Sequence, residues 1–219
     1  MLVELANLQG RIAVREFAGM DCSTPDTRHL GQALALSDLP RKQTRRLSRF
    51  EKHVLACLLG LGKDASDAPI VFASRYGTMS SNTLDLLKDL LSGTPLSPTS
   101  FSLSVHNAAV GVASQLMNDT APYTAIAAGD RTLDCAILEC LSLMAEGADH
   151  VILAFGEARM EREYEIFDDS SADIYFACLL TRAEAFAGPT LSALIAPDEI
   201  ASPRELLAKL EAHCTGTPS

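Results

Sequence analysis

The sequence lacks any long apolar run. No stretch reaches the ~18 to 20 apolar residues that a membrane-spanning helix requires. The N-terminus also lacks the basic region and apolar core of a signal peptide. We therefore expect a cytoplasmic protein without a membrane span.

Basic residues are scarce as well. The chain has 18 Lys and Arg against 28 Asp and Glu, which gives a formal net charge of −10 at pH 7. Proteins that bind nucleic acids need a basic surface to neutralise phosphates. The charge balance therefore argues against nucleic-acid binding, and it also disfavours anionic membrane surfaces.

Metal-binding motifs are missing too. The six cysteines contain no CxxC pair and are spread through apolar contexts: Cys22, Cys57, Cys135, Cys140, Cys178 and Cys214. This usage predicts buried, reduced thiols rather than disulfides. Because no ligand spacing is evident, we predict neither a metal site nor another cofactor.

The chain is rich in apolar residues, and one stretch of them predicts a strand–helix–strand unit. At 219 residues and 47% hydrophobic content, it is predicted to form one large domain with a sizeable core. Tyr123–Ala128 is a short apolar run that predicts a strand, Gly129 and Asp130 indicate a turn, and apolar residues at helical spacing follow. Asp130 is placed to cap that helix. A second strand at Val151–Ala154 completes a βαβ unit.

Further elements flank this unit, while residues 17–40 look irregular. The predicted elements are a strand or hairpin over Leu2–Val14, a strand over Ala68–Ser74, a helix from Ser81 to about Leu91, a strand over Ile174–Leu180 and a helix over Pro203–His213.

The central unit resembles the nucleophile elbow of the ketosynthase (thiolase-like) superfamily, in which a strand of small residues turns sharply into a helix. The family's catalytic cysteine falls on Asp130, its threonine two positions on falls on Thr132, and Ala154–Glu157 stands in for the second, small-residue motif. The fuller match is to β-ketoacyl synthase-like N-terminal domains, or chain length factors, of aryl polyene pathways, and it covers roughly Pro40 to Arg182. Its other motifs are RRLS (Arg45–Ser48), FASRYGT (Phe72–Thr78) and LSPTSFSLSVHNA (Leu96–Ala108).

The resemblance implies an α/β fold, a single thiolase-like half with a mixed sheet of about five strands covered by helices. It assigns residues 1–182 to this half and residues 183–219 to a C-terminal extension with a short helix. It also implies no condensing activity for the chain alone. The elbow has no sulfur, and the family's two catalytic histidines belong to a second half that this sequence does not contain.

The role that the resemblance supplies is a non-catalytic subunit that pairs with a full-length β-ketoacyl-ACP synthase and limits the length of its product. An acyl carrier protein is the further partner implied, and the isolated chain could form a homodimer instead. Two alternatives stay open. One is a stand-alone acyl-binding or regulatory module, and the other is a divergent enzyme that uses Asp130 or Cys135 as its nucleophile.

Loops that leave the carboxyl ends of strands in α/β sheets often line sites. We therefore predict that a pocket or tunnel is lined by Arg75, Tyr76, Gly129, Asp130 and Thr132. Asp130 would either gate this pocket or only cap its helix. A carboxylate is stabilised at a helix N-terminus, but it is a poor acceptor of an acyl thioester.

A helix with almost no side-chain bulk follows Asn107, which favours close approach of another backbone. The resemblance places this segment and the strand before the elbow at a subunit interface, whereas the alternative is an intrachain face packed on the sheet. His106 aligns with neither catalytic histidine of the family, so a hydrogen-bonded structural role is favoured for it. The predicted interface residues are Phe101, Ser104, His106, Asn107, Ala108, Gly111, Tyr123, Ala125 and Ala127.

A cluster of basic residues begins after Pro40. On one helix, positions 41, 45 and 49 would share a face, with 42 and 46 beside it. Such a face suits docking of an acidic acyl carrier protein, although a solvated helix end is the alternative. The predicted docking residues are Arg41, Lys42, Arg45, Arg46 and Arg49.

Overall fold

The computed structural model of the chain describes residues 9–164, 166, 172–195 and 200–215. Its strands are β1 (Ile12–Asp21), β2 (Arg28–Gly31), β3 (Ile70–Ala73), β4 (Tyr123–Ile126), β5 (His150–Glu157) and β6 (Ile174–Arg182). They form one mixed sheet in the order β2-β1-β6-β5-β3-β4. The strand β3 is parallel to both β4 and β5, and the other neighbours are antiparallel.

The α/β fold is as predicted, with one strand more than expected. The additional strand β2 and the second half of β1 lie in the segment that the sequence predicts to be irregular. That prediction is wrong because β1 is buried on both faces from Phe17 to Met20. A strand buried in this way has no alternation of apolar and polar residues.

Helices cover both faces of the sheet. They are α1 (Arg41–Thr44), α2 (Arg49–Gly60), α3 (Asn82–Ser92), α4 (Pro98–Ser102), α5 (Ala108–Met117), α6 (Thr132–Ala145), α7 (Leu191–Leu194) and α8 (Pro203–Thr215). Successive side chains of a strand point to opposite faces. Accordingly, Val71 and Ala73 of β3 join one apolar cluster with α6, α7 and α8, whereas Ile70 and Phe72 join another with α2 and α5.

The segment after residue 182 packs on the same core as the rest of the chain. Leu191 and Leu194 of α7 and Leu206, Leu207 and Leu210 of α8 are all buried. They belong to the apolar cluster that also holds the buried face of α6. Helix α8 therefore forms part of the layer that covers this face of the sheet.

The predicted basic helix is two helices. The first, α1, ends at Thr44, and a new helix begins at Arg49 after a break at residues 45–48. Ser48 causes this break, because its hydroxyl accepts from the Glu51 amide while the Glu51 carboxylate accepts from the Ser48 amide. This reciprocal capping box is a strong helix start. The single basic face predicted from the sequence is therefore wrong.

Strand β4 lies at one edge of the sheet, paired only with β3 among the described strands. The carbonyls of Pro122 and Ile126 accept from the amides of Ile70 and Ser74. In a parallel pair, the residues between such positions direct their backbone groups away from the neighbour. Tyr123 and Ala125 therefore present backbone groups at the outer edge, and both residues are exposed.

The five cysteines whose side chains are described are free thiols, and four of them are buried.

No helix among the described residues is both long enough and apolar enough to cross a bilayer. Residues 2–8 of the predicted strand or hairpin over Leu2–Val14 lie outside the described part of the chain, and residues 12–14 belong to β1.

A side chain at Gly156 would have no room. An added Cβ would lie 2.8 Å from Val54 Cγ2 and 3.2 Å from Phe50 Cε2. Both neighbours are buried, and Val54 is β-branched, so it cannot rotate away cheaply. We expect Gly156→Ala to lower the free energy of unfolding by about 1–3 kcal/mol, measured by urea denaturation followed by circular dichroism.

Gly111→Ala is the matched control. Its added Cβ would meet only the Tyr123 hydroxyl, at an ordinary 3.6 Å. Alanine is favoured over glycine inside a helix by about 1 kcal/mol, so we expect this variant to be as stable as the wild type or more so. A Gly156→Ala protein with wild-type stability would contradict the close packing of β5 against α2.

Candidate functional site

The loops that follow three parallel strands bring charged side chains together at one edge of the sheet. Arg75 comes just after β3, Asp130 lies in the turn after β4, and Glu157 is the last residue of β5. The carboxyl ends of parallel strands share one edge, which is where α/β proteins place their sites. This edge is the candidate site.

Arg75 holds the three loops together. Its side chain donates from Nη1 to Asp130 Oδ1 at 2.9 Å, and its backbone amide donates to Glu157 Oε2 at 3.0 Å. Its Nε lies 4.0 Å from Glu157 Oε1, and its guanidinium lies 4.9 Å from the centroid of the Tyr76 ring. Glu157 is buried and Asp130 is 84% exposed, so Arg75 spans from the interior of the sheet edge to solvent.

The turn itself is built by Gly129 and Thr132. Gly129 adopts a φ of +58°, a left-handed conformation that a β-carbon disfavours. The Thr132 hydroxyl accepts from the Ala128 amide at 2.9 Å and donates to the Gly129 carbonyl at 2.7 Å. These two bonds fix the sharp change from β4 to α6.

The prediction that Asp130 caps α6 is wrong. The helix begins at Thr132, and the residue at its N-cap position is Arg131, without a side-chain capping bond. The Asp130 carboxylate turns away from the helix to Arg75 instead. A nearby guanidinium competes successfully with the backbone amides, because it offers a charge-assisted hydrogen bond.

A cleft of about 450 Å³ lies beside this turn. Of the predicted pocket residues, all but Tyr76 line it, and the segment that begins α8 forms its other wall. The lining residues are Arg75, Gly129, Asp130, Thr132, Leu133, Phe155, Glu157, Ala172, Ile174, Ile200, Ala201, Ser202, Pro203 and Arg204. Charged groups therefore ring an opening whose deeper walls are largely apolar.

The lining residues that sequence reasoning missed come from α6, from β5, from the start of β6 and from the start of α8. Glu157 carried a signal, since it is an acidic residue at the end of an apolar strand. Ser202 and Arg204 carried none, because they reach the cleft only through the packing of α8. Contacts between residues so far apart in the chain leave no local pattern.

The two candidate nucleophiles, Asp130 and Cys135, lie in different surroundings. Asp130 is ion-paired with Arg75 and exposed to solvent, which stabilises the carboxylate and lowers its reactivity. Cys135 lies on α6, is half-buried and is not among the residues that line the cleft.

His106 has the structural role that the sequence favours. Its Nε2 lies 2.7 Å from the carbonyl oxygen of Ser74, and its ring packs on Phe72 with centroids 5.6 Å apart. Gly77 is needed beside it, because an added Cβ there would lie 2.9 Å from His106 Cδ2. His106 thus stabilises the loop that carries Arg75.

The predicted interface residues divide into two groups. Phe101, Tyr123, Ala125 and Ala127 are exposed, and Phe101 is 63% accessible. Ser104, His106, Asn107 and Gly111 are half-buried, whereas Ala108 is buried. The Asn107 amide donates to the Tyr123 hydroxyl at 3.3 Å. Strand β4 and the half-buried face of α5 therefore form one continuous surface.

The five predicted docking residues are all exposed, although they do not share one helix. Arg41 and Lys42 lie on α1, Arg45 and Arg46 lie in the break, and Arg49 begins α2. Arg46 donates to the hydroxyl of Thr99, and Arg49 lies 3.8 Å from Asp173. The basic surface is thus irregular and partly neutralised.

The fold resembles several solved structures. One is the ketosynthase (ApeO) in complex with its chain length factor (ApeC) from Xenorhabdus doucetiae, with a TM-score of 0.68 and 22% identity over 78% of this chain and 79% of that one. The ishigamide ketosynthase/chain length factor matches with a TM-score of 0.65 and 15% identity over 83% and 64% of the two chains. A β-ketoacyl synthase from Burkholderia phymatum STM815 matches with a TM-score of 0.62 and 13% identity over 80% and 60%. The chain thus spans less than two thirds of the last two structures.

No curated protein matches the sequence. The family model described as the N-terminal domain of β-ketoacyl synthase does match, and it takes in residues 22–206. This range includes all strands except β1, together with the turn at Asp130 and both walls of the cleft. The chain therefore belongs to the β-ketoacyl synthase N-terminal domain family.

Proposed function

We propose that this protein is a non-catalytic, chain-length-factor-like subunit that pairs with a full-length β-ketoacyl-ACP synthase. It would work in the cytoplasm, in a polyene-type fatty acid or polyketide pathway of the aryl polyene kind. The observation that carries the proposal is the sharp turn from β4 to α6, which holds Asp130 in an ion pair with Arg75 at the position where the family resemblance places a cysteine. Two of the similar structures are described as ketosynthases with chain length factors, which supports the pairing.

The chemistry of the elbow argues against condensation by this chain. A condensing enzyme must carry its acyl group on a nucleophile that forms and releases a thioester, which a thiolate does well. A carboxylate held by a guanidinium is a weak nucleophile, and its acyl adduct would be a mixed anhydride that hydrolyses readily. The sharp turn is thus kept, whereas the chain would not carry out the condensation reaction.

The edge of the sheet is suited to a partner. Exposed edge strands invite pairing with another strand, and proteins normally cover or blunt them. Strand β4 presents the backbone groups of Tyr123 and Ala125 outward, carries no charged side chain and lies beside the half-buried face of α5. A synthase subunit that pairs with β4 would continue the sheet across the interface.

Asp130 and Arg75 would then lie close to that interface and act on the acyl chain of the partner. An apolar chain that reached them would have to strip water from an ion pair without offering hydrogen bonds, which is unfavourable. The pair would therefore stop the chain from growing further. The carrier protein that delivers the extender units would dock on the exposed basic residues, chiefly Arg41, Lys42 and Arg45, through charge complementarity.

A second candidate is a stand-alone acyl-binding module. The cleft favours it, because Leu133, Phe155 and Ile174 give it apolar walls while Arg75 and Arg204 could hold an acidic head group. Extraction of the purified protein followed by mass spectrometry separates the two functions. A stoichiometric fatty acid or acyl thioester on the isolated chain would favour the module.

The pairing predicts co-purification. We expect the tagged chain, co-expressed with a full-length ketosynthase from the same gene neighbourhood, to elute with it as a 1:1 complex that condenses acyl thioesters. The chain alone is expected to show no condensation. Failure to form a complex with that synthase, or condensation by the chain alone, would contradict the proposed function.

Ala125→Pro tests the edge strand. Proline removes the outward amide of β4 but leaves the bonds to β3 intact, and edge strands tolerate it. We expect a loss of synthase binding of at least about tenfold, equivalent to ~1.4 kcal/mol, measured by titration of the labelled subunit. The matched control is Ala125→Val, which keeps the amide and should bind within about twofold. Equal binding by both variants would mean that β4 is not the paired edge.

Asp130→Asn tests the gating role. The change keeps the size of the side chain and removes its charge, so we expect the reconstituted complex to release products longer by about one elongation cycle. Mass spectrometry of the released chains measures the shift. Glu146→Gln, an exposed charge removal after the far end of α6, is the control and should leave the product distribution unchanged. An unaltered distribution with Asp130→Asn would remove Asp130 from length control.

A further inference from the structure

Three metal-ligating side chains meet on the other side of the sheet from the cleft. Cys22 follows the last residue of β1, His53 lies in α2, and Asp173 precedes the first residue of β6. One ligand atom from each lies within 4.8 Å of the other two. None of the three lines the cleft beside Asp130.

Two ligand atoms of this cluster lie at the spacing that a metal ion requires. Cys22 Sγ and His53 Nε2 are 3.7 Å apart. A zinc ion with a Zn–S bond of about 2.3 Å and a Zn–N bond of about 2.1 Å at the tetrahedral angle requires about 3.6 Å between those atoms. The sulfur and nitrogen are therefore already at ligand spacing.

Asp173 provides the second, independent observation. Within the described part of the chain, its buried Oδ1 has no hydrogen-bond partner, whereas Oδ2 lies 3.8 Å from Arg49 Nη2. Burying a carboxylate oxygen without a partner is costly, so such an atom calls for an explanation. A cation between Oδ1, Cys22 and His53 would satisfy it.

The backbone around the ligands is held firmly. The Cys22 amide donates to the Asp173 carbonyl at 2.7 Å, and the Asp173 amide donates to the Ser23 hydroxyl at 3.2 Å. His53 is 1% exposed, and its ring packs on Tyr175 with centroids 4.6 Å apart. Ligands fixed in this way lose little freedom when an ion binds.

We propose that Cys22, His53 and Asp173 bind one divalent transition-metal ion of the zinc class, which clips the end of β1 and the start of β6 to α2. One thiolate and one carboxylate balance the charge of the ion, and the imidazole supplies a neutral nitrogen. A fourth position remains for water. Arg49 would serve as an outer partner that orients the carboxylate through Oδ2.

The protonation states of the free ligands fit this role. Burial lowers the pKa of His53 to about 4, so its imidazole is neutral at neutral pH and ready to ligate. Burial raises the pKa of the Cys22 thiol, which is therefore protonated without metal. Binding would release that one proton to solvent as the sulfur–metal bond forms.

Cobalt substitution tests the site on the full-length chain. After treatment with a chelator, the wild-type protein is titrated with Co²⁺ and then with Zn²⁺. We expect one Co²⁺ per chain, a thiolate-to-cobalt charge-transfer band in the near ultraviolet, displacement by Zn²⁺ and a Zn²⁺-dependent rise in Tm. A wild-type protein that gives no charge-transfer band with Co²⁺ would overturn the proposal, and this readout needs no variant.

Substitutions then assign the ligands. Cys22→Ser should abolish the charge-transfer band, and Asp173→Asn should weaken Co²⁺ binding by at least about tenfold. Cys135→Ser, which alters a half-buried thiol outside the cluster, should bind like the wild type. If Cys22→Ser keeps the band, or if Cys135→Ser loses it, the ion is bound elsewhere and the proposed site is wrong.

Discussion

The fold depends on the burial of its central strands on both faces. Every residue of β3 is buried, as is every residue of β5 except His150 and of β6 except Arg182. Strands of this kind cannot tolerate solvent on either side, so the chain must supply a helical layer for each face. Helices α2 and α5 form one layer, and α6, α7 and α8 form the other.

The same constraint leaves both edge strands, β2 and β4, unprotected. The helical layers centre on β3, β5 and β6, and β4 at the edge is exposed along three of its four residues. Yet β4 carries the turn into α6 and so fixes the position of Asp130. This exposed strand thus supports Asp130, which ties the candidate site to whatever covers this edge of the sheet.

The sequence predicts those features that are local. The βαβ unit, the strand before Arg75 and the last amphipathic helix all follow from spacing and turn residues, and the motifs around Asp130 indicate the family. Three features could not be predicted from the sequence, because they depend on contacts between residues that are far apart in the chain. The second half of β1 is buried on both faces, so its sequence shows no alternation. The guanidinium of Arg75 draws Asp130 away from the helix that it was predicted to cap. Only the sheet brings Cys22, His53 and Asp173 together.

The break at Ser48 is different, since Ser48 and Glu51 are a capping box that is visible in the sequence. The spacing of the five basic residues predicted one continuous helix instead.

The ion pair between Asp130 and Arg75 contributes little to the stability of the fold. Exposed ion pairs add only about 0–1 kcal/mol to stability, because water competes for both charges and salt screens them. The turn is held by Thr132 and Gly129, not by Asp130. The carboxylate therefore contributes little to the stability of the fold or to the shape of the turn. An exposed charged group that lines a cleft without holding the turn is suited to contact a molecule that approaches the cleft from outside.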